Sequence, residues 1–330
     1  QSIVNQNMIN DLEVILSDDC SNKSYNNIIE PYLDKLSIKR IKTEYNFGPG
    51  NSREKGISVA EGEWICFADQ NDIFIDNTLK SIKEVILESK EQYFVISDFF
   101  TTDPKTNIPI NKITKSINYC FGKFYNMDNL WKPFNIHFIK DLLTHEDQSI
   151  SSQVICALKC IGTSPLFVDL FTYFWMMWED NLSDKLYIGN TYLNYFLQDY
   201  IKSTGEVYLD YYLNYDIDKD FIIKSLIEFI LILYFYIQGL KFNDPNKFNL
   251  SNEELCRRFF VKFKKVFKIS NKDILDFVST DDASMYYQIK QSAELGVGTF
   301  IEQETFYQWI NNLHEDIVIA TSINDILNEK

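Results

Sequence analysis

Through the first hundred residues, short apolar runs alternate with amphipathic stretches. Residues 12–17 (LEVILS) read as a buried strand that ends in Asp18-Asp19, and a Ser/Asn-rich turn then leads into a helical pattern over 25–36. Residues 38–43 alternate as a second strand, 46–50 (NFGPG) form a loop by their Gly and Pro content, and 52–61 read as a helix closed by Gly62. Residues 63–68 (EWICFA) form a third strand that ends at Asp69. Asp76 is expected to cap a helix running to Ser89, and 93–97 form a fourth strand. This β-α-β-α order predicts a mainly parallel sheet with helices on both faces, with ligands bound beyond the carboxyl ends of its strands. The acidic pairs at 18–19 and 69–72 both fall at such ends.

Residues 105–175 are less regular. His145-Glu146-Asp147 precedes an apolar helix over 150–161, and 166–173 are a strand candidate. From about 190 the pattern becomes helical, over 191–202, 219–240, 252–267, 274–278 and 302–313. We therefore expect two regions, 1–189 and 190–330, with the boundary near Gly189. Residues 226–240 (LIEFILILYFYIQGL) are the most apolar run, but they are shorter than the roughly 20 residues of a spanning helix and contain Glu228 and Gln238. They read as a buried helix, with membrane contact as the alternative.

Composition narrows the function. A net charge of −15 argues against nucleic-acid binding, because neutralising phosphates needs a basic surface. Six cysteines, none in a C-x-x-C pair, argue against a zinc ribbon and suit a reducing cytosol; Cys156 and Cys160, four apart on an apolar helix, read as core. No basic stretch followed by an apolar run opens the sequence, so no signal peptide is expected. His137 and His314 are isolated and carry no assigned chemistry.

Four motifs carry candidate chemistry, each beside a simpler structural reading. Asp69-Gln-Asn71-Asp72 could converge on one hard cation or form an Asp/Asn turn. Asp18-Asp19 could accept from a base or a ribose, or cap the next helix. Gly48, Gly50 and Arg53 in NFGPGNSR could cradle an anion at a helix N-terminus, or the glycines could simply allow the turn. Asp147 could be a general base or a helix cap. Residues 257–268 (RRFFVKFKKVFK) are a basic amphipathic stretch in an acidic chain, either a solvated helix face or a contact for an anionic acceptor or membrane surface.

The order of these motifs is more specific than any one of them. QSIVNQ at 1–6, LEVILSDDCS at 12–21, NFGPGNSREKG at 46–56 and AEGEWICFADQND at 60–72 together resemble the family 2 glycosyltransferases of the GT-A fold. The stretch from FGKFY at 121–125 to His145-Glu-Asp147 resembles that family's acceptor region, so the resemblance covers about residues 1–180. It implies an α/β GT-A fold in 1–189 followed by a helical region that places the acceptor or mediates assembly. It implies that Asp19, with Asp18 beside it, holds the base or ribose and that Arg53 supports the nucleotide or its diphosphate. Asp69 would open the D-x-D element that meets ribose and metal, and Asp147 would be the base of an inverting transfer from a nucleotide sugar, expected to be a UDP sugar. The implied cofactor is a divalent cation, Mn²⁺ or Mg²⁺, held by Asp69, Asn71 and Asp72. The implied acceptor is a glycan, a cell-wall polymer or a protein. The expected location is cytoplasmic, peripheral at the membrane if the basic helix engages it, and homo-oligomers through the C-terminal helices stay open.

Three departures accompany the resemblance. The family's opening strand with its P-x-Y-N turn is not found before Gln1, and residues 316–322 (DIVIATS) are an alternative source for it. Asn71 stands where the second D-x-D aspartate is expected. No Arg follows the base in 175–183 (WMMWEDNLS), where Trp178, Asn181 or Ser183 could close over the donor instead. The rival readings are a sugar-nucleotide-binding protein without turnover and an interaction protein built on the aromatic helices.

Overall fold

A computed structural model of the chain describes residues 1–116, 121–139, 142, 146–177, 199–227, 229, 250–274 and 308. β1 (Glu13–Asp18) pairs in parallel with β2 (Ser37–Lys42), from Glu13 opposite Ser37 to Asp18 opposite Lys42. The helix expected over 25–36 is much shorter. α1 spans Asn26–Ile29 and tightens into a 3₁₀ turn at Glu30–Tyr32. Pro31 causes this, since it has no N–H to continue the ladder and its ring crowds the preceding turn.

α2 (Pro49–Ile57) starts three residues earlier than the periodicity indicates. Pro49 fits a first helical position, where its missing N–H costs nothing, and Gly48 ahead of it adopts φ +88, a region open to glycine. The helix lies against β1, where Ser52 Oγ and Ser17 Oγ are 3.0 Å apart and each also bonds the other's carbonyl.

The second sheet has the order β3-β7-β5-β8-β4, formed by β3 (Trp64–Ile65), β4 (Ile73–Phe74), β5 (Phe94–Asp103), β7 (Lys123–Asn126) and β8 (Leu166–Met176). β6 (Ile108–Ile113) pairs with the later half of β5, and β7 with its earlier half. The sheets are mixed, where the element order predicted mainly parallel pairing. β1–β2 and β5–β8 are parallel, while β3–β7, β4–β8, β5–β6 and β5–β7 are antiparallel. The β5–β6 hairpin is one cause: Asn107, at φ +56, donates to Asp103 O at 2.8 Å and reverses the chain in a stretch the periodicity left irregular. The two sheets are tied by Glu13 Oε1, which accepts from the N–H groups of Glu61 and Gly62 at 2.6 Å, and by Lys39, which pairs with both Glu13 and Glu61.

α3 (Thr78–Ser89) is not capped by Asp76, whose Oδ1 instead accepts from Asn5 Nδ2 at 2.9 Å. The acceptor for its first turn comes from the N-terminal segment. Gln6 is fully buried, its Oε1 accepts from Leu79 N at 2.9 Å, and its Nε2 donates to Ile75 O and Ser2 O. A buried amide with all these partners holds the segment before β1 against α3.

Side chains alternate across β5. Phe94 and Ile96 face one core with Tyr125, while Val95 and Phe99 face the other with Ile82, Phe121 and Tyr173. The first core continues into α4 (Glu146–Cys160) through Ile150, Val154, Cys156 and Ala157. It then takes in α5 (Val207–Asn214), which continues a π-helical turn over Ile201–Glu206, and α6 (Leu250–Phe267) through Phe259, Phe260 and Phe263. The helical region therefore shares its core with the sheet.

α6 matches the helix expected over 252–267, and Phe259 and Phe263 are buried as its amphipathic pattern required. Leu226, Ile227 and Phe229 of the long apolar run are also buried. No described helix is long and apolar enough to cross a membrane. The boundary at Gly189, the rest of the apolar run, most of the helices expected over 191–202, 274–278 and 302–313, and the strand alternative at 316–322 lie outside the described residues.

The docking of α6 depends on Gly205. A Cβ there would stand 2.5 Å from Phe259 Cζ and 3.1 Å from a Phe229 ring carbon. We expect Gly205→Ala to push the Phe259 ring out of place and destabilise the fold by roughly 1–3 kcal/mol. A thermal melt checks this, and an unchanged midpoint would contradict the packing described.

Candidate active site

Arg53 on α2 joins the 69–72 turn that follows β3 to the start of α4, while Asp18 and Asp19 lie at the end of β1. Asp18 is 7% exposed, and its Oδ1 accepts from Ser21 N at 2.8 Å. Lys42 Nζ lies 3.6 Å from Oδ2, an atom with no hydrogen-bond partner among the described residues. The Ser21 hydrogen bond, against burial and with help from Lys42, holds the Asp18 carboxyl below the usual carboxylate range.

Asp19 has a different environment. Its Oδ1 accepts from Phe47 N at 2.9 Å and Thr43 Oγ1 at 3.1 Å, and its Oδ2 accepts from Gly48 N at 2.7 Å. The glycine loop was expected to offer its N–H groups to an anion. In the structure the Phe47 and Gly48 N–H groups already bind the protein's own carboxylate, so Asp19 organises the loop. Gly50 is buried in the first turn of α2, and a Cβ there would stand 3.5 Å from Glu146 Cγ and Phe138 Cβ.

Arg53 joins the distant motifs. Its Nη2 donates to Asp69 Oδ1 at 2.9 Å and its Nη1 to Asp147 Oδ1 at 3.4 Å, while its guanidinium carbon lies 5.7 Å from the Phe138 ring centroid. The Arg53 side chain is largely buried, so this charge acts at reduced screening. Asp147 sits in the first turn of α4, beside Glu146, where the helix dipole favours negative charge. Burial first, and then the neighbouring Asp147 charge, push the Glu146 carboxyl up to about 7.

In the turn after β3, Asp72 N donates to Asp69 O at 3.2 Å. The Asp69 carboxylate is partly exposed beside Arg53, and Asn71 lies exposed at the turn. Both Asp72 oxygens are engaged by β8: Met176 N donates to Oδ1 at 2.8 Å and Tyr173 Oη to Oδ2 at 2.7 Å. Burial pushes the Asp72 carboxyl up to about 6. Sequence reasoning placed Asp72 among the cation ligands; the structure gives its oxygens to β8. Among the described residues, no three His, Cys, Asp or Glu side chains converge as a metal group. Of the other two expected ligands, the Asp69 carboxylate is half-exposed against Arg53 and Asn71 is exposed.

Two residues were missed by the sequence reading. Tyr173 was treated only as the end of a strand, where its hydroxyl in a mostly apolar run was the available signal, and Gln6 as one letter of a motif. His145, Trp178, Asn181 and Ser183 lie outside the described residues.

Residues 1–143 match the sequence profile of the family described as Glycosyl transferase family 2. The poly(ribitol-phosphate) beta-N-acetylglucosaminyltransferase TarS of Staphylococcus aureus (strain MW2) is 30% identical over 151 residues, 42% of this chain and 26% of the relative. The minor teichoic acid biosynthesis protein GgaA of Bacillus subtilis (strain 168) is 26% identical over 310 residues, 87% of this chain and 66% of the relative. The chain thus spans about a quarter of the length of the curated TarS it matches. The crystal structure of S. aureus TarS 1–349 in complex with UDP-GlcNAc superposes with a TM-score of 0.58 at 18% identity, over 92% of each chain. That likeness shows the GT-A fold, with its mixed sheet and helical C-terminal part.

The raised Glu146 carboxyl has a consequence for stability. The unfolded chain releases this proton near the ordinary glutamate value of 4.5 and the folded chain near 7. Stability contributed by the protonated form is therefore lost as pH rises from about 4.5 to about 7 and is flat above that. Glu146→Gln keeps the neutral form throughout. We expect its melting temperature to gain on the wild type across this window; a gap that does not change with pH would show that Glu146 does not titrate as described.

Proposed function

We propose that the chain is an inverting glycosyltransferase that moves a sugar from a nucleotide-diphosphate sugar to a hydroxyl acceptor. The observation that carries this reading is Arg53, whose one guanidinium holds the Asp69 turn and Asp147 together and so sets a candidate base beside a candidate donor turn. The donor is a UDP sugar of the UDP-GlcNAc kind, in keeping with the TarS complex. The acceptor is a polyol-phosphate polymer of the teichoic-acid class, as the names of TarS and GgaA suggest. Exposed Lys265 and Lys268 on and just beyond α6 supply positive charge for such an anionic chain, so the helical region places the acceptor.

Asp147 takes the proton from the acceptor hydroxyl. The freed oxygen forms a bond to the anomeric carbon as the bond from that carbon to the diphosphate oxygen breaks, and the nucleotide diphosphate leaves with that electron pair. Asp69 faces the donor, and Arg53 holds it while offering a cation to the phosphate side. Asp18, whose Oδ2 is buried 3.6 Å from Lys42 Nζ, would accept from the nucleoside, and Asp19 shapes the loop beside it. Asp69 and Asn71 would hold a divalent cation, which when bound offsets negative charge on the diphosphate.

Two measurements test this reading. Asp147→Asn should lower transfer by roughly 10²–10⁴-fold while leaving UDP binding within a few-fold, because general-base catalysis contributes about that much. Full transfer in this variant would remove Asp147 from the role. Transfer should also stop in excess EDTA and return with Mn²⁺ or Mg²⁺, and Asn71→Asp should tighten the cation by adding a charged ligand. Undiminished transfer in EDTA would sink the cation assignment.

A further inference from the structure

We propose that Tyr173, on β8, is the positioning residue of the donor turn, acting on Asp69 from a strand on the far side of the loop. Its side chain is fully buried and its ring is held on two sides, by Phe121 at 5.1 Å and 11° and by Phe74 at 5.1 Å and 74°. Tyr173 lies opposite Phe74 in β4 and opposite Phe99 in β5, so both neighbouring strands fix the place of its hydroxyl. That hydroxyl makes two bonds of opposite sense. It accepts from Asp69 N at 3.0 Å and donates to Asp72 Oδ2 at 2.7 Å. Met176 N, three residues further along β8, donates to the other Asp72 oxygen. Both ends of the 69–72 turn are therefore fastened to one strand, and the end carrying Asp69 is fastened by a single phenol.

Packing alone does not account for this arrangement. A phenylalanine would fill the same space between Phe74 and Phe121. The hydroxyl adds a bond to the backbone of the residue whose carboxylate meets Arg53. Without it, the Asp69 N–H loses its acceptor and Asp72 Oδ2 loses its donor, and the Asp69 end of the turn is freer to move relative to Arg53. The inference rests on the reading that Asp69 meets the donor.

The test uses the full chain, with UDP as the calorimetric probe and UDP-GlcNAc in kinetics. Tyr173→Phe should weaken UDP binding and raise the donor KM on the order of tenfold, the usual weight of a hydrogen bond to a charged group, with the acceptor KM unchanged. A tyrosine that merely packs would lower the folded fraction and hence kcat, leaving donor KM where it was; that result overturns the proposal. Asp72→Asn removes the oxygen that accepts from the phenol and is the second variant should Tyr173→Phe fail to fold. It should raise donor KM similarly, and the double variant should add little, since the two act through one link. Fully additive losses would overturn the proposal as well. Wild-type protein that binds no UDP would end the donor reading together with this one, whereas wild type and Tyr173→Phe binding UDP equally would end this one alone.

Discussion

Asp69 and Asp147 come from distant segments, and they meet on the guanidinium of Arg53. Like charges brought together out of water repel strongly unless a counter-charge stands between them, and Arg53 is largely buried, where that attraction is least screened. The rest of the site depends on getting this arginine into place. α2 must start at Pro49 for Arg53 to fall on its second turn, Gly48 must take a left-handed φ for α2 to start there, and Asp19 holds Gly48 by its N–H. A bond at the end of β1 thus decides where a cation sits beside α4.

The carboxyl groups around that cation are kept in distinct states by their surroundings. Asp72 and Glu146 are both raised chiefly by burial, to about 6 and about 7, so at neutral pH Glu146 is about half protonated while Asp72 is largely ionised and bonded to β8. Asp18 is held low by Ser21 despite its burial. Asp69 remains partly open to solvent. Acidic groups clustered without such differences would repel one another and any incoming diphosphate.

Much of this was legible in the sequence where local pattern decides structure. β1 ends at Asp18 where the apolar run placed it, whereas β3 stops at Ile65, four residues short of Asp69, and the pairing of Arg53 with Asp147 was not foreseen. What could not be read was set by tertiary partners. Asp72 looks like a ligand in sequence because it lies beside Asp69, yet its bonds go to Tyr173 and Met176, about a hundred positions later. Asp76 has the character of a helix cap, but Gln6 supplies the acceptor from a segment no helical pattern includes. The mixed sheet was missed because an alternating run gives no direction; the turn at Asn107 and the long return to β7 set it. Pro31 was the exception, a local signal that periodicity overrode.

The shared core bears on how this architecture can diverge. Ile150, Val154 and Ala157 of α4 bury one side against the sheet residues and belong to the same cluster as Phe259, Phe260 and Phe263 of α6. The helical half is thus no cassette appended to a finished domain. A recombination joining this donor half to a foreign C-terminal half would leave aromatic-sized hollows and mismatched knobs along α4. On the proposed reading, acceptor preference would change more readily by substitutions at exposed Lys265 and Lys268 than by exchange of the half, because those positions face solvent and leave the common interior untouched.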